Sequence, residues 1–383
     1  MTEPPSAAKR CRPPRAPRIA RAWLVAALAL RFGACPHSTV RAEDLAQLEQ
    51  QAFKAAAAAV ADCVVQIRTV GGLDQLDGSR LAQGPTTGLI LTADGYIVSS
   101  AINFAQQPAS VLVRLPDGAQ RAAEIIGRDT NRMLVLLKVD APAPLPTPRA
   151  ASAGEVRVGD WAIALGRTYD PERVNVSVGV ISAKNRMYGR AIQTDANASA
   201  ANYGGPLVDL YGRVVGVLVP MAPQAPGAAD ANELAGAEFY DSGIAFAVPL
   251  ADVLATLPRW IDQRDLKRGL LGVGMKDGNA HETPPEITAI WPRSPAAKAG
   301  WKKGDLIVAV DGKPASSQAA LRFITSPRYA GDELEVTIRR GDGNDAEEIE
   351  TKITLAAKLE PYRHAFLGGL PVRGPAADGD APA

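Results

Sequence analysis

The sequence holds three histidines, His37, His281 and His364, so residues 43–280 contain none. Cleavage of an amide by a hydroxyl needs a base within hydrogen-bond reach, and that base is most often an imidazole. The hydroxyls of this stretch therefore lack the commonest partner. Those whose setting could matter are Ser99, Ser100, Ser199, and Tyr203 in the turn Ala201-Asn202-Tyr203-Gly204-Gly205-Pro206. A phenol with a pKa near ~10 is a poor nucleophile at neutral pH unless a base attends it. Lys184 follows Ser182 in a strand-like segment, but nothing in that spacing suggests a serine–lysine dyad. Cys63 lies in the apolar run Cys63-Val64-Val65-Gln66-Ile67 and reads as a buried, inert thiol. No metal or organic cofactor is expected.

The elements that carry these residues are short strands. Residues 43–60 are alanine-rich with helical spacing. From 61 to about 257 the pattern becomes β-branched or alternating runs: 64–67, 87–91, 96–98, 111–115, 134–139, 161–165, 174–181 and 214–220. Asp94-Gly95, Asp117-Gly118 and Tyr211-Gly212-Arg213 mark turns between them. Many short strands with little helix indicate a sandwich or barrel. Residues 221–241 read as a low-complexity loop, and 250–257 as a short closing helix stopped by Pro258. A second unit spans 268–358, with strands expected at 269–273, 306–310 and 333–339 and helices at 296–300 and 318–324. The tail from Gly368 is rich in Gly, Pro and Ala.

The N-terminus has the layout of an export signal: a basic region from Lys9 to Arg21, an apolar core from Ala22 to Leu30, and small residues at Val40-Arg41-Ala42. A lipoprotein cut before Cys35 and an uncleaved anchor are the other readings. Residues 1–42 carry eight Lys/Arg and one acid, a net +7 within a chain of net +1, which leaves −6 on the remainder. A mildly acidic body argues against nucleic acid as a partner. Cleavage would leave Cys63 as the only cysteine and so no intrachain disulfide.

Several segments, in order and with matching spacing, resemble the HtrA/DegP family of exported serine proteases. They are Val156-Arg157-Val158-Gly159-Asp160-Trp161, Val178 to Ala183, Gln193-Thr194-Asp195-Ala196, Gly204-Gly205-Pro206-Leu207-Val208, and Ser242 to Pro249. The resemblance covers roughly residues 60–355. It implies a mainly β chain, with a trypsin-like double β-barrel (61–260) followed by a PDZ domain (265–358); composition adds an N-terminal helix (43–60) and a disordered tail (359–383). The resemblance also implies a common assembly as a trimer. The family's serine falls at Tyr203, its histidine at Ile102 after Asp94-Gly95-Tyr96-Ile97-Val98-Ser99-Ser100-Ala101, and its aspartate at Met133 before Leu134-Val135-Leu136-Leu137-Lys138. The family's glycine two residues before the serine is Ala201, whose Cβ restricts the backbone of an oxyanion hole. Asp195 resembles a loop-supporting position.

Arg268-Gly269-Leu270-Leu271-Gly272-Val273 resembles the PDZ carboxylate-binding loop, in which successive N–H groups hold a terminal carboxylate and a peptide adds a strand. Residues 294–300 and 302–307 match the rest of the PDZ pattern, and Leu321 and Ile324 would shape a pocket for an apolar terminal side chain. These residue types lead to the expectation of a protein that is not an enzyme. On that reading it is an HtrA-like pseudoprotease, exported to the periplasm or envelope, that binds C-terminal or unfolded peptide segments and can regulate an active HtrA-type relative. The alternative is a serine-type endopeptidase of envelope protein quality control.

Overall fold

The computed structural model describes residues 42–72, 75–76, 79–80, 84–221, 243–341 and 346–360. The expected export segment, Cys35, nearly all of the 221–241 loop and the tail beyond 360 lie outside the described residues. Helix α1 (Ala42–Ala61) opens the description, close to the range expected from its alanines. Residues 44–50 are exposed. Beyond them Ala56, Ala57 and Val60 turn one stripe into the core.

Two closed barrels follow. The first is built from β1 (Val64–Val70), β4 (Thr86–Ile90), β5 (Tyr96–Ser100), β6 (Ser110–Arg114), β7 (Gln120–Asp129) and β8 (Leu134–Val139); β2 (Gln75–Leu76) and β3 (Ser79–Arg80) form a small hairpin beside it. Its strand order is β1-β4-β5-β8-β7-β6. The second comprises β9 (Trp161–Gly166), β10 (Asn175–Asn185), β11 (Ala191–Thr194), β12 (Pro206–Val208), β13 (Val214–Val219) and β14 (Ala245–Pro249), in the order β10-β11-β14-β13-β12-β9. All pairings are antiparallel.

Side-chain alternation explains how the barrels fill and how they meet. Val65, Ile67, Ile97, Val135 and Leu137 fill the first barrel. The alternate residues Val64, Leu89, Val98, Leu134 and Leu136 face outward and pack with Ile163, Leu165, Val217 and Val219 of the second barrel. Strands buried on both faces must be apolar throughout, which is why Leu134–Val139 and Val214–Val219 read as continuous runs rather than alternating ones.

Helix α2 (Leu250–Gln263) extends past its expected end, with Pro258 inside it. Proline removes a helical hydrogen bond. Here the loss is offset because Leu250, Val253, Leu257 and Trp260 form one buried stripe, and Trp260 is fully buried in the core shared by both barrels.

The second unit contains β15 (Val273–Met275), β16 (Ile287–Ile290), α3 (Pro295–Lys298), β17 (Leu306–Val310), β18 (Lys313–Pro314), α4 (Gln318–Thr325), β19 (Glu333–Arg340) and β20 (Glu347–Thr354). Strands run in the order β18-β17-β19-β20, and β15 pairs with β16. Ser294 caps α3 by accepting from Ala297 N, and Ser317 caps α4 by accepting from Ala320 N, each at 3.2 Å. The strand expected at 269–273 is shorter and later, because Leu270 instead bridges to Ala356.

This unit is fastened to the first barrel by a buried polar cluster. The Tyr329 hydroxyl donates to Asp129 Oδ2 at 2.5 Å and accepts from Arg132. Asn131 Nδ2 donates to the Ser326 carbonyl at 2.8 Å. Asp129, Asn131, Arg132 and Tyr329 are all at most 4% exposed.

Replacing Trp260 by Ala should cost about 3–5 kcal/mol, the range for removing a large buried aromatic. A thermal melt would register it. A variant melting with the parent would show that α2 does not anchor the core.

Candidate functional site

The turn carrying Tyr203 is shaped by both barrels. Gly204 has φ +90°, and a Cβ there would lie 2.3 Å from the Thr87 carbonyl oxygen and 2.4 Å from Ser99 Oγ. The Thr87 hydroxyl donates to the Ala201 carbonyl at 2.8 Å and accepts from Arg167 N at 2.9 Å. Thr168 Oγ1 donates to the same carbonyl at 2.7 Å. Asn103 Nδ2 reaches across to the Tyr203 carbonyl at 2.9 Å and to Ser99 Oγ at 3.2 Å. Tyr203 itself is 5% exposed and packs in the second barrel's core, with half-buried Ile102 against the same cluster.

Ile102 sits in a 3₁₀ turn (Ala101–Phe104) directly after β5. Met133 precedes β8 with φ +56°, and its carbonyl accepts from Ala101 N at 2.8 Å. Ile102 and Met133 line one small recess with Ala101, Ala105, Arg128, Asp129 and Thr130. The structure thus brings together all three positions singled out in the sequence, Ile102 serving as the link: it meets Tyr203's cluster on one side and Met133's recess on the other.

The N–H groups that an oxyanion would use are turned inward. Tyr203 N donates to the Ser199 carbonyl at 3.2 Å, and Ala201 N to Ser199 Oγ at 3.3 Å. Ser99 Oγ donates to the Thr87 carbonyl at 2.7 Å, and Ser100 Oγ is buried with no hydrogen-bond partner among the described residues. Lys184 is not paired with Ser182: its ammonium donates to the Ala153 and Val156 carbonyls at 2.9 and 2.7 Å. Asp195 accepts from Val180 N at 2.6 Å and so braces the strand before the turn. Burial, with a smaller contribution from Asp62, pushes the Cys63 thiol up to about 11. Among the described residues no cluster of three or more His, Cys, Asp or Glu could hold a metal.

In the second unit, Gly272 has φ +77°, and a Cβ there would lie 2.2 Å from Ser294 Cβ. Its carbonyl accepts from Trp291 N at 2.9 Å. Among the described residues the N–H groups of Leu271 and Gly272 donate to no acceptor, although Gly272 is buried. Leu321 is 4% exposed and belongs to this unit's core, against which half-buried Leu271, Val273 and Ile324 pack. Leu270 is half-buried and paired with Ala356 in both directions, at 2.9 and 3.1 Å.

A trypsin-like peptidase domain model matches residues 83–217, and a PDZ domain model matches 269–353. The chain is 31% identical over 284 residues to a probable periplasmic serine endoprotease DegP-like of Chlamydia trachomatis, covering 70% of this chain and 53% of that protein. The chain is an HtrA/DegP homologue. Against the periplasmic serine endoprotease DegP of Escherichia coli the identity is 30% over 286 residues, 70% of this chain and 56% of that one. The HtrA homologue therefore spans about half the length of these curated relatives. Among solved structures it resembles the HtrA-type protease AlgW with a decapeptide (TM-score 0.62, 23% identity, covering 81% of this chain and 99% of that one). It also resembles the serine endoprotease from Yersinia pestis (TM-score 0.58, 25% identity, 79% and 97%).

These relatives correct one expectation. The residue types at three positions led to a protein that is not an enzyme, yet the homologues matched along the peptidase domain are named serine endoproteases. The physical reason is that three residue identities speak only to one arrangement of nucleophile, base and carboxylate. They do not exclude peptidase activity by a chain with this similarity to named serine endoproteases.

Two outcomes are expected. Gly204→Ala should lower the melting temperature sharply, because its Cβ has no room and positive φ disfavours it; an unchanged melt would contradict the close approach. Cys63 should resist an aromatic disulfide reagent until the protein unfolds, and rapid labelling of the native protein would contradict its burial.

Proposed function

We propose that this HtrA homologue works in protein quality control of the periplasm or cell envelope, where its PDZ domain captures polypeptides by their free C-termini. One observation carries the reading: adjacent N–H groups at Leu271 and buried Gly272, neither bonded to an acceptor among the described residues. An unpaired buried donor is costly, about 1–3 kcal/mol, and a carboxylate oxygen would remove that cost. Leu271, Val273 and Ile324 are half-buried against the core cluster that contains Leu321 and would offer apolar surface to a terminal side chain. The peptide held by the solved AlgW structures supports the class of ligand. The envelope location rests on the relatives named as periplasmic. Assembly as a homotrimer, and association with another HtrA-type protease, are finer parts of the same proposal.

A second reading, serine-type endopeptidase of envelope quality control, is favoured by the names of the relatives and by two intact barrels. Under it, Ile102, Met133 and Tyr203 occupy the positions of base, orienting carboxylate and nucleophile, and cleavage would rely on hydroxyls elsewhere in the chain. Degradation of unfolded casein by the homogeneous protein tests it, with labelling by a serine-directed fluorophosphonate to find the nucleophile. Cleavage together with one labelled serine would establish the endopeptidase. Intact casein and no label would leave capture alone.

Capture is tested by fluorescence anisotropy with a short apolar peptide ending in a free carboxylate. The parent should bind it at least about tenfold more tightly than the same peptide amidated. Gly272→Val should lose the difference while the barrels melt as before. Equal affinity for acid and amide would overturn the carboxylate assignment.

A further inference from the structure

A cavity of about 570 Å³ in the PDZ domain is framed by three stretches of chain, 293–299, 352–356 and 358–360. Its volume falls within the range of about 300–1,000 Å³ typical of small-molecule sites. Four cations line it, Arg293, Lys298, Lys352 and Lys358, against one carboxylate, Glu360. The excess is local, because the chain beyond residue 42 carries more acidic than basic residues. Each cation is placed by its own piece of structure. Arg293 has φ +59° and directly precedes Ser294, which caps α3. Lys298 ends α3, where a cation also suits the partial negative charge of a helix C-terminus. Lys352 lies on β20, held in place by Ile353 and Leu355, each 3% exposed. Lys358 follows Ala356, which is bonded to Leu270 in both directions. It precedes Leu359, whose Cδ2 would lie 3.0 Å from a Cβ at Gly272.

Pairing within the protein leaves much of this charge unneutralised. Arg293 pairs with Glu360, and Lys352 with Glu335 at 3.4 Å. The side chains of the second pair are 74% and 72% exposed, so water screens it. The ammonium groups of Lys298 and Lys358 have no hydrogen-bond or ion-pair partner among the described residues. Elsewhere in the domain cations meet acids more closely, as Lys276 meets Glu286 at 2.9 Å and Arg340 meets Asp305 at 2.8 Å. Like charges around one space repel, and an anion between them removes that cost. A phosphomonoester carries about −1.5 to −2 charges at neutral pH and three acceptor oxygens. Lysine ammonium groups meet it as point charges from several sides, whereas a lone carboxylate brings one charge and suits arginine's planar fork. We propose that this cavity binds a phosphate-bearing small molecule through Lys298, Lys352 and Lys358, with Arg293 exchanging Glu360 for the same phosphate. The remaining volume accommodates the organic body that carries the group, a soluble phosphomonoester or a lipid headgroup. The site uses neither the Leu271 nor the Gly272 N–H group, so it stands apart from carboxylate capture.

The test uses the full protein at low salt. Calorimetric titration with glycerol 3-phosphate probes the soluble source, and cosedimentation with phosphatidylcholine vesicles containing phosphatidic acid probes the lipid one. Saturable binding of at least one probe is expected, and the tighter of the two names the source. The double variant Lys298→Gln, Lys358→Gln should weaken that binding about tenfold or more and melt with the parent, since both side chains are exposed. Lys313→Gln, at an exposed lysine of β18 outside the cavity, should stay within about twofold of the parent. Succinate, with two carboxylates, should bind at least about tenfold more weakly than glycerol 3-phosphate if the soluble probe binds. Three results would overturn the site: neither probe binding, succinate binding as tightly as the phosphate, or the double variant binding no more weakly than Lys313→Gln. Each would leave carboxylate capture standing.

Discussion

The cleft depends on one close approach of backbone to backbone. Gly204, in the second barrel's turn, lies so near the Thr87 carbonyl of the first barrel that no other residue fits. Thr87 answers with its hydroxyl, which holds the Ala201 carbonyl of the same turn. Neither barrel alone fixes the loop that carries Tyr203. Asn103 adds a third tie from the 3₁₀ turn that carries Ile102. The turn carrying Tyr203 is thus tied to the first barrel by a few hydrogen bonds, while Met133 is held within that barrel through Ala101 N.

A second constraint places the PDZ domain. Burying a carboxylate is expensive unless its oxygens are satisfied, and Asp129 is 1% exposed. Burial pushes its carboxyl up, against the opposing pull of Tyr329, Arg132 and two backbone N–H groups. One partner, Tyr329, comes from the PDZ domain, and the other three come from the β7–β8 connection of the first barrel, which ends at Met133. Separating the domains would strip a hydrogen-bond partner from a buried carboxyl group. The junction also joins the PDZ domain to the recess lined by Met133 and Ile102 through contiguous backbone.

Much of the fold was legible in the sequence. Runs such as Leu134–Val139 and Val214–Val219 show their strands because both faces are buried. Strand β7, reading Gln-Arg-Ala-Ala-Glu-Ile-Ile-Gly-Arg-Asp, was not visible: much of its length is exposed, and its place comes from its neighbours β6 and β8. Pro258 misled as a helix stop because burial of Trp260, two residues on, outweighs a local preference. The Gly272 turn was readable because a required positive φ leaves a glycine in the sequence. Tyr329 and Asp129 left no such mark: each acts through a partner far along the chain, and tyrosine and aspartate are ordinary surface residues until the fold buries them. Activity was the least legible property, since residue identities at three positions were read further than one mechanism warrants.

The claim on which the functional account rests is that the main-chain N–H groups of Leu271 and Gly272 await a carboxylate. Heteronuclear NMR of the ¹⁵N-labelled protein, titrated with a peptide bearing a free C-terminus, observes those two amides directly. Both should move strongly downfield as the peptide binds, as amides do on meeting a charged acceptor, and stay in place with the amidated peptide. Binding that shifts other resonances while leaving Leu271 and Gly272 unmoved would contradict it.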